Sequence, residues 1–138
     1  MMKRIAVDTN AVLSFLTDRD AAQQEKAADL FGGAVDGQHV LVLHQSAISE
    51  CVYVMTAVYG ATAGKTRATL RDLLEQPGVV ALDALDWSAV WELWPGRLED
   101  FGDACIAAAG RSGGYDELAT FDGKFARRAR RLGIATYW

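Results

Sequence analysis

Three short apolar runs constrain this chain more than any other feature: Arg4 to Val7, Val40 to Leu43 and Val79 to Leu82, each flanked by segments of helical periodicity. Unbroken apolar runs of this length read as strands covered on both faces, as in parallel sheets. Between the first two lie a short helical piece, Ala11 to Leu16, and a longer helix, Ala21 to Val35, with apolar positions Ala27, Ala28, Leu30, Phe31 and Val35 and glycines at its end. Ser46 can cap a helix running to about Tyr59 along the stripe Ile48, Cys51, Val52, Met55 and Val58, with Gly60 to stop it, and Lys65 to Gln76 forms another amphipathic helix.

After the third run the alternation continues. Asp86 opens a helix carrying Trp87, Trp91 and Trp94, which Pro95-Gly96 breaks; Asp100 or Phe101 opens a helix to about Ser112 that is apolar almost all round and therefore central. Glu117 to Thr120 is a brief strand, Asp122 to Leu132 a basic helix and Ile134 to Tyr137 a last strand. Strands alternating with helices through short loops predict a three-layer α/β/α sandwich around a mostly parallel sheet. At 138 residues, one domain spanning 1–138 can bury roughly two-thirds of its unfolded surface in a single core.

Composition excludes several classes. A hydrophobic fraction of 51% with 23% charged residues is that of a folded chain rather than a disordered one. No apolar run approaches the roughly 20 residues of a membrane span, and the charge of Asp8 comes too early for a signal-peptide core, so a soluble cytoplasmic protein is expected. Cys51 and Cys105 sit in apolar segments without metal-knuckle or redox spacing and read as buried thiols. His39 and His44 flank the second strand without zinc-ligand spacing.

A net charge of −4 argues against nonspecific coating of nucleic acid. Its distribution is uneven: residues 1–122 hold all eighteen acids, whereas 123–138 hold Lys124, Arg127, Arg128, Arg130 and Arg131 and no acid. Such a helix is either a solvated face whose cations suit a helix C-terminus or a phosphate-contacting patch, and Lys124, Arg127, Arg128 and Arg131 are the candidate phosphate contacts.

Parallel sheets bind ligands beyond the C-terminal ends of their strands, where strand order reverses. Asp8 and Asp122 directly follow strands, and Asp103 lies in the first turn of the apolar helix, three residues after Asp100, at the positive end of its dipole. Asp8 and Asp122 could equally serve as caps, and Glu50, opposite its helix's apolar stripe, reads as a solvated glutamate. Acids brought within about 5 Å repel by roughly 3 kcal/mol per pair at an effective dielectric near 20, so a cluster requires protons or cations. An oxygen-only donor set suits a hard ion, Mg²⁺ or Mn²⁺, and such an ion supports phosphodiester hydrolysis.

Four segments together resemble the PIN domain, in its small toxin form: Val7-Asp8-Thr9-Asn10, Ser49-Glu50-Cys51-Val52, Asp100 to Ala109, and Leu118-Ala119-Thr120-Phe121-Asp122-Gly123-Lys124-Phe125. The resemblance implies a divalent-metal endoribonuclease of a toxin–antitoxin pair, acting on structured RNA, forming homodimers and inhibited by a small cognate antitoxin. It implies metal ligation by Asp8, Glu50, Asp103 and Asp122, polar support from Asn10 and Thr120, and an additional acid at Asp100. The resemblance alone raises Glu50 to a ligand.

The tryptophans Trp87, Trp91 and Trp94 read first as core packing, with a partner-binding face as the alternative. A haloacid-dehalogenase-like phosphatase would need a second Asp where Asn10 stands, and a nucleotide-binding module a glycine-rich turn where Asp8-Thr9-Asn10-Ala11 stands. A catalytically idle interaction module would not need the full acid set.

Overall fold

The computed structural model describes residues 2–138 and contains a five-stranded sheet in the order β3-β2-β1-β4-β5, with every pairing parallel. The strands are β1 (Arg4–Val7), β2 (Val40–His44), β3 (Val79–Leu82), β4 (Glu117–Ala119) and β5 (Ala135–Thr136). The helices are α1 (Thr9–Leu16), α2 (Ala21–Val35), α3 (Gln45–Tyr53), α4 (Ala63–Leu74), α5 (Trp87–Leu93), α6 (Phe101–Arg111) and α7 (Gly123–Arg131). Among the described residues no helix is long and apolar enough to cross a membrane.

The strand period of two divides the interior. Ala6 of β1 and Val42 of β2 face a core with α5, α6 and α7, where Leu93, Ile106, Phe125 and Ala129 are buried. Ile5 and Val7, with Leu41 and Leu43, face a second core against α1, α2 and α4, built from Val12, Leu30, Phe31, Leu70 and Leu73. The result is the expected α/β/α sandwich. Helix α6 is buried continuously from Ala104 to Ala109, as its all-round apolar sequence predicts. Cys51 and Cys105 are buried free thiols.

Each helix begins on a side-chain cap. Asp20 accepts from Gln23 N–H at 3.0 Å, Thr62 from Lys65 N–H at 3.1 Å and Asp86 from Ala89 N–H at 3.1 Å. Helix α3 departs from expectation at both ends. Buried His44, rather than Ser46, caps it: Nδ1 accepts from Ser46 N–H at 3.1 Å while Nε2 lies 3.0 Å from the Ala84 carbonyl. Past Tyr53 the helix widens into a π-helical turn, Val54–Val58, where Tyr59 N–H reaches back to the Val54 carbonyl at 2.9 Å. Entry to β3 depends on Gly78, whose φ is +77° and whose missing Cβ would stand 2.5 Å from the Ala34 carbonyl oxygen.

Core packing holds for one tryptophan of the three. Trp94 packs against the α6-side core, but Trp87 and Trp91 are 50% and 57% exposed and stack on each other at 5.3 Å. The reason is that Val90 and Leu93 already occupy the inward face of this short helix. Half-exposed Phe101 completes the aromatic surface, its ring edge-on to Trp94 at 5.2 Å.

Candidate active site

Strand order runs outward from β1 through β2 to β3 and then restarts at β4 on the other side of β1, so the crevice of this sheet lies past the C-terminal ends of β1 and β4. Three helices start there, and each start is capped by an acid. Asp8 accepts from Thr9 N–H at 2.9 Å, Asp100 from Asp103 N–H at 2.8 Å, and Asp122 Oδ1 from Lys124 and Phe125 N–H at 3.0 and 3.1 Å. The positive ends of α1, α6 and α7 thus converge on a group of negative charges.

A cleft of about 380 Å³ opens at this point. Asp8, Glu50, Asp100, Asp103, Asp122 and Asn10 all line it, together with Lys124, Arg128 and Arg19. Arg127 and Arg131 do not, and Thr120 lies beneath the acids, buried. Among the described residues no three of the acids close into a preassembled metal cage; they face a common space from separate walls.

Thr120 organises the floor. Its hydroxyl donates to Asp8 Oδ2 at 2.8 Å and accepts from Asp122 N–H at 3.1 Å and Asn10 Nδ2 at 3.3 Å. Asn10 in turn accepts Phe121 N–H on Oδ1 at 3.0 Å, which sets its amide orientation and ties α1 to the segment after β4. Glu50 is exposed, as its place opposite the apolar stripe predicts, yet it is drawn in by Thr9, whose hydroxyl donates to Oε2 at 3.1 Å. Gly102 leaves space for this approach, since a Cβ there would stand 3.2 Å from Asp100 Oδ1 and 3.6 Å from Glu50 Oε2.

Burial and mutual repulsion set the protonation of the group. Burial first, and then the charges of Asp8, Asp100, Asp122 and Glu50, raise the carboxyl of Asp103 to about 8. Asp8, only 5% exposed, is pushed up to about 6 by burial against the opposing hydrogen bonds from Thr120 and Thr9. The same field reaches Cys51, whose thiol is pushed up to about 12 by burial and then by Glu50 and Asp8. A carboxylate held protonated near neutrality by burial and by its neighbours is one that a cation would ionise, and the all-oxygen donors fit a hard divalent ion.

Three contributors escaped the sequence reading: Thr9, Gly102 and Arg19. Arg19 donates through Nη2 to the Asn10 carbonyl at 2.7 Å and through Nε to Ser14 Oγ at 3.2 Å, placing a cation beside the acids. Only the fold brings these partners together.

The chain matches the PIN domain family over residues 5–131. It belongs to that family. Solved structures share this PIN fold over nearly the whole chain. VapC20 of Mycobacterium tuberculosis, a sarcin-ricin loop cleaving toxin, is 16% identical with a TM-score of 0.67, covering 95% of this chain and 96% of its own. VapBC2 from Rickettsia felis, bound to a DNA fragment from its promoter, is 14% identical with a TM-score of 0.65 and covers 96% of each chain. The PIN domain endonuclease Utp24 is 18% identical with a TM-score of 0.58, covering 96% of this chain and 82% of its own. Among curated proteins no sequence matches significantly.

Proposed function

We propose that this PIN domain, one catalytic unit across 1–138, is a metal-dependent endoribonuclease acting as the toxin of a toxin–antitoxin pair. One observation carries the reading: acids from four separate elements, Asp8, Glu50, Asp103 and Asp122, face one switch-point cleft, where burial and their mutual repulsion raise the Asp103 carboxyl to about 8. Asp8, Glu50, Asp103 and Asp122 would hold Mg²⁺ or Mn²⁺, which when bound neutralises the acids, activates a water and stabilises the leaving oxygen of a phosphodiester.

The chain's own residues do the rest. Thr120 fixes the Asp8 carboxylate through one hydroxyl while Asn10 locks the loop that carries Asp122, so neither acid reorients as charge builds. Lys124 and Arg128, on the cleft wall, attract the phosphate backbone that the acids alone would repel. Asp100 caps α6 and adds negative charge beside Asp103.

The toxin reading draws support from the likeness to VapC20, which is described as a sarcin-ricin loop cleaving toxin, and to VapBC2, which is described as bound to a DNA fragment from its promoter. A small antitoxin that fills the cleft and a second copy of the chain are the proposed partners, in the cytoplasm. The exposed aromatic surface of Trp87, Trp91 and Phe101 supports a protein contact, since aromatic side chains anchor interfaces.

The test is hydrolysis of structured RNA by purified protein freed of inhibitor, with Mg²⁺ or Mn²⁺. Cleavage that chelator and Asp103→Asn both abolish is expected. Cleavage surviving Asp8→Asn and Asp103→Asn would refute the mechanism, and partner binding without cleavage would mark an idle interaction module.

A further inference from the structure

The loop between α5 and α6 presents Arg97 toward α7, where it meets Arg128 and Arg131 in a hollow of about 190 Å³ whose remaining wall is Leu132. No acid lines this hollow. Lys124, Arg128 and Arg131 are spaced i, i+4 and i+7, one stripe of the helix, and Arg128 belongs to both the hollow and the acid cleft. Cations therefore run from the cleft onto the outer face of α7.

Arginines gathered in one concavity repel unless an anion joins them. Glu99, two residues from Arg97, is drawn the other way: its carboxylate lies 3.8 Å from Arg128 Nη2 and 3.9 Å from Lys124 Nζ, on the cleft side. Among the described residues the Arg97 and Arg131 side chains make no ion pair or hydrogen bond, whereas Arg130 spends its guanidinium on Thr136 Oγ1 at 2.9 Å. Planar guanidinium groups with free donors suit a phosphate, which they bind through paired hydrogen bonds.

We propose that the Arg97–Arg128–Arg131 hollow is a second phosphate subsite, taking an RNA backbone phosphate outside the scissile position. The proposal rests on the nuclease reading and extends it: the acid cleft holds the bond to be cut, and the hollow sets which stretch of strand can reach it. It also explains how a chain of net charge −4 engages a polyanion, since contact is confined to a single track.

The experiment measures binding of a labelled single-stranded RNA by fluorescence anisotropy in metal-free buffer, across a salt series, for wild type, Arg97→Ala, Arg131→Ala and the charge control Arg67→Ala on α4. Each lost phosphate contact should flatten the slope of log affinity against log salt by about 0.7 and weaken binding roughly fivefold at low salt. Arg67→Ala should match wild type. Slopes for Arg97→Ala and Arg131→Ala equal to that of Arg67→Ala would overturn the subsite. Cleavage by wild type with Mg²⁺ is scored separately, so loss of the nuclease reading and loss of the subsite give different results.

Discussion

The two walls of the cleft are built on opposite principles. On the acidic wall, Asp8 is buried and held in place by Thr120 and Thr9, and Asp103 stands part-buried in the field of four other carboxylates. On the basic wall, Lys124 and Glu99 are largely exposed, their separation of 3.9 Å is loose, and only Arg128 is partly covered. The acidic side thus stores repulsion in a fixed geometry, while the basic side is adjustable and screened by salt. Fixed groups suit chemistry and adjustable ones suit capture of a flexible strand.

The contrast breaks most visibly at Asp103. Asp103→Asn should lower RNA hydrolysis by on the order of 10²–10⁴, while raising the melting temperature of the metal-free protein at neutral pH because the cost of holding a part-buried carboxyl protonated is gone. A variant losing both activity and stability would contradict the stored-repulsion account. Next, Thr120→Val removes the donor to Asp8 and should weaken metal affinity or activity about 10- to 100-fold, measured by Mg²⁺ titration of the cleavage rate.

Titration follows with a defined sign. Folding raises the Asp103 carboxyl from 3.8 to about 8, so between those values the folded state keeps a proton that the unfolded chain has released. The contribution of Asp103 to metal-free stability is therefore fully present below about 3.8 and is lost as pH rises toward about 8; Asp8 acts in the same sense up to about 6. Thermal melts across that range should fall, and Asp103→Asn should flatten the curve. A rise in melting temperature over the same interval would be inconsistent with the burial of this acid. The smallest effect belongs to the adjustable wall: Glu99→Gln should tighten RNA binding only about two- to fivefold, and only at low salt, by anisotropy.

Much of this was legible in the sequence where local pattern decides. β1, β3 and α2 begin and end where their apolar runs and caps predict, because uninterrupted burial leaves no competing reading. The acids after β1 and β4 met because parallel topology forces strand ends to one side. Legibility failed where the decisive partner is distant in sequence. Glu50 is as exposed as its helix face implies, and only a hydroxyl from α1 draws it to the cleft. His44 caps α3 because Ala84, forty residues on, takes its other nitrogen. Trp87 and Trp91 share helical spacing with a buried stripe, but a seven-residue helix has only one inward face, and Val90 and Leu93 hold it.

The triple convergence of capped helices carries a consequence for how such a chain can decay. Asp8, Asp100 and Asp122 each hold a helix start, a duty worth roughly 0.5–2 kcal/mol that persists whether or not RNA is ever cut. Selection for stability alone would retain them in a descendant that had lost its chemistry. Asp103 has no such second employment and burdens the fold at neutral pH. Drift would remove it first, so loss of Asp103 with the three caps kept is the pattern expected of a descendant that keeps this fold without the chemistry of its cleft.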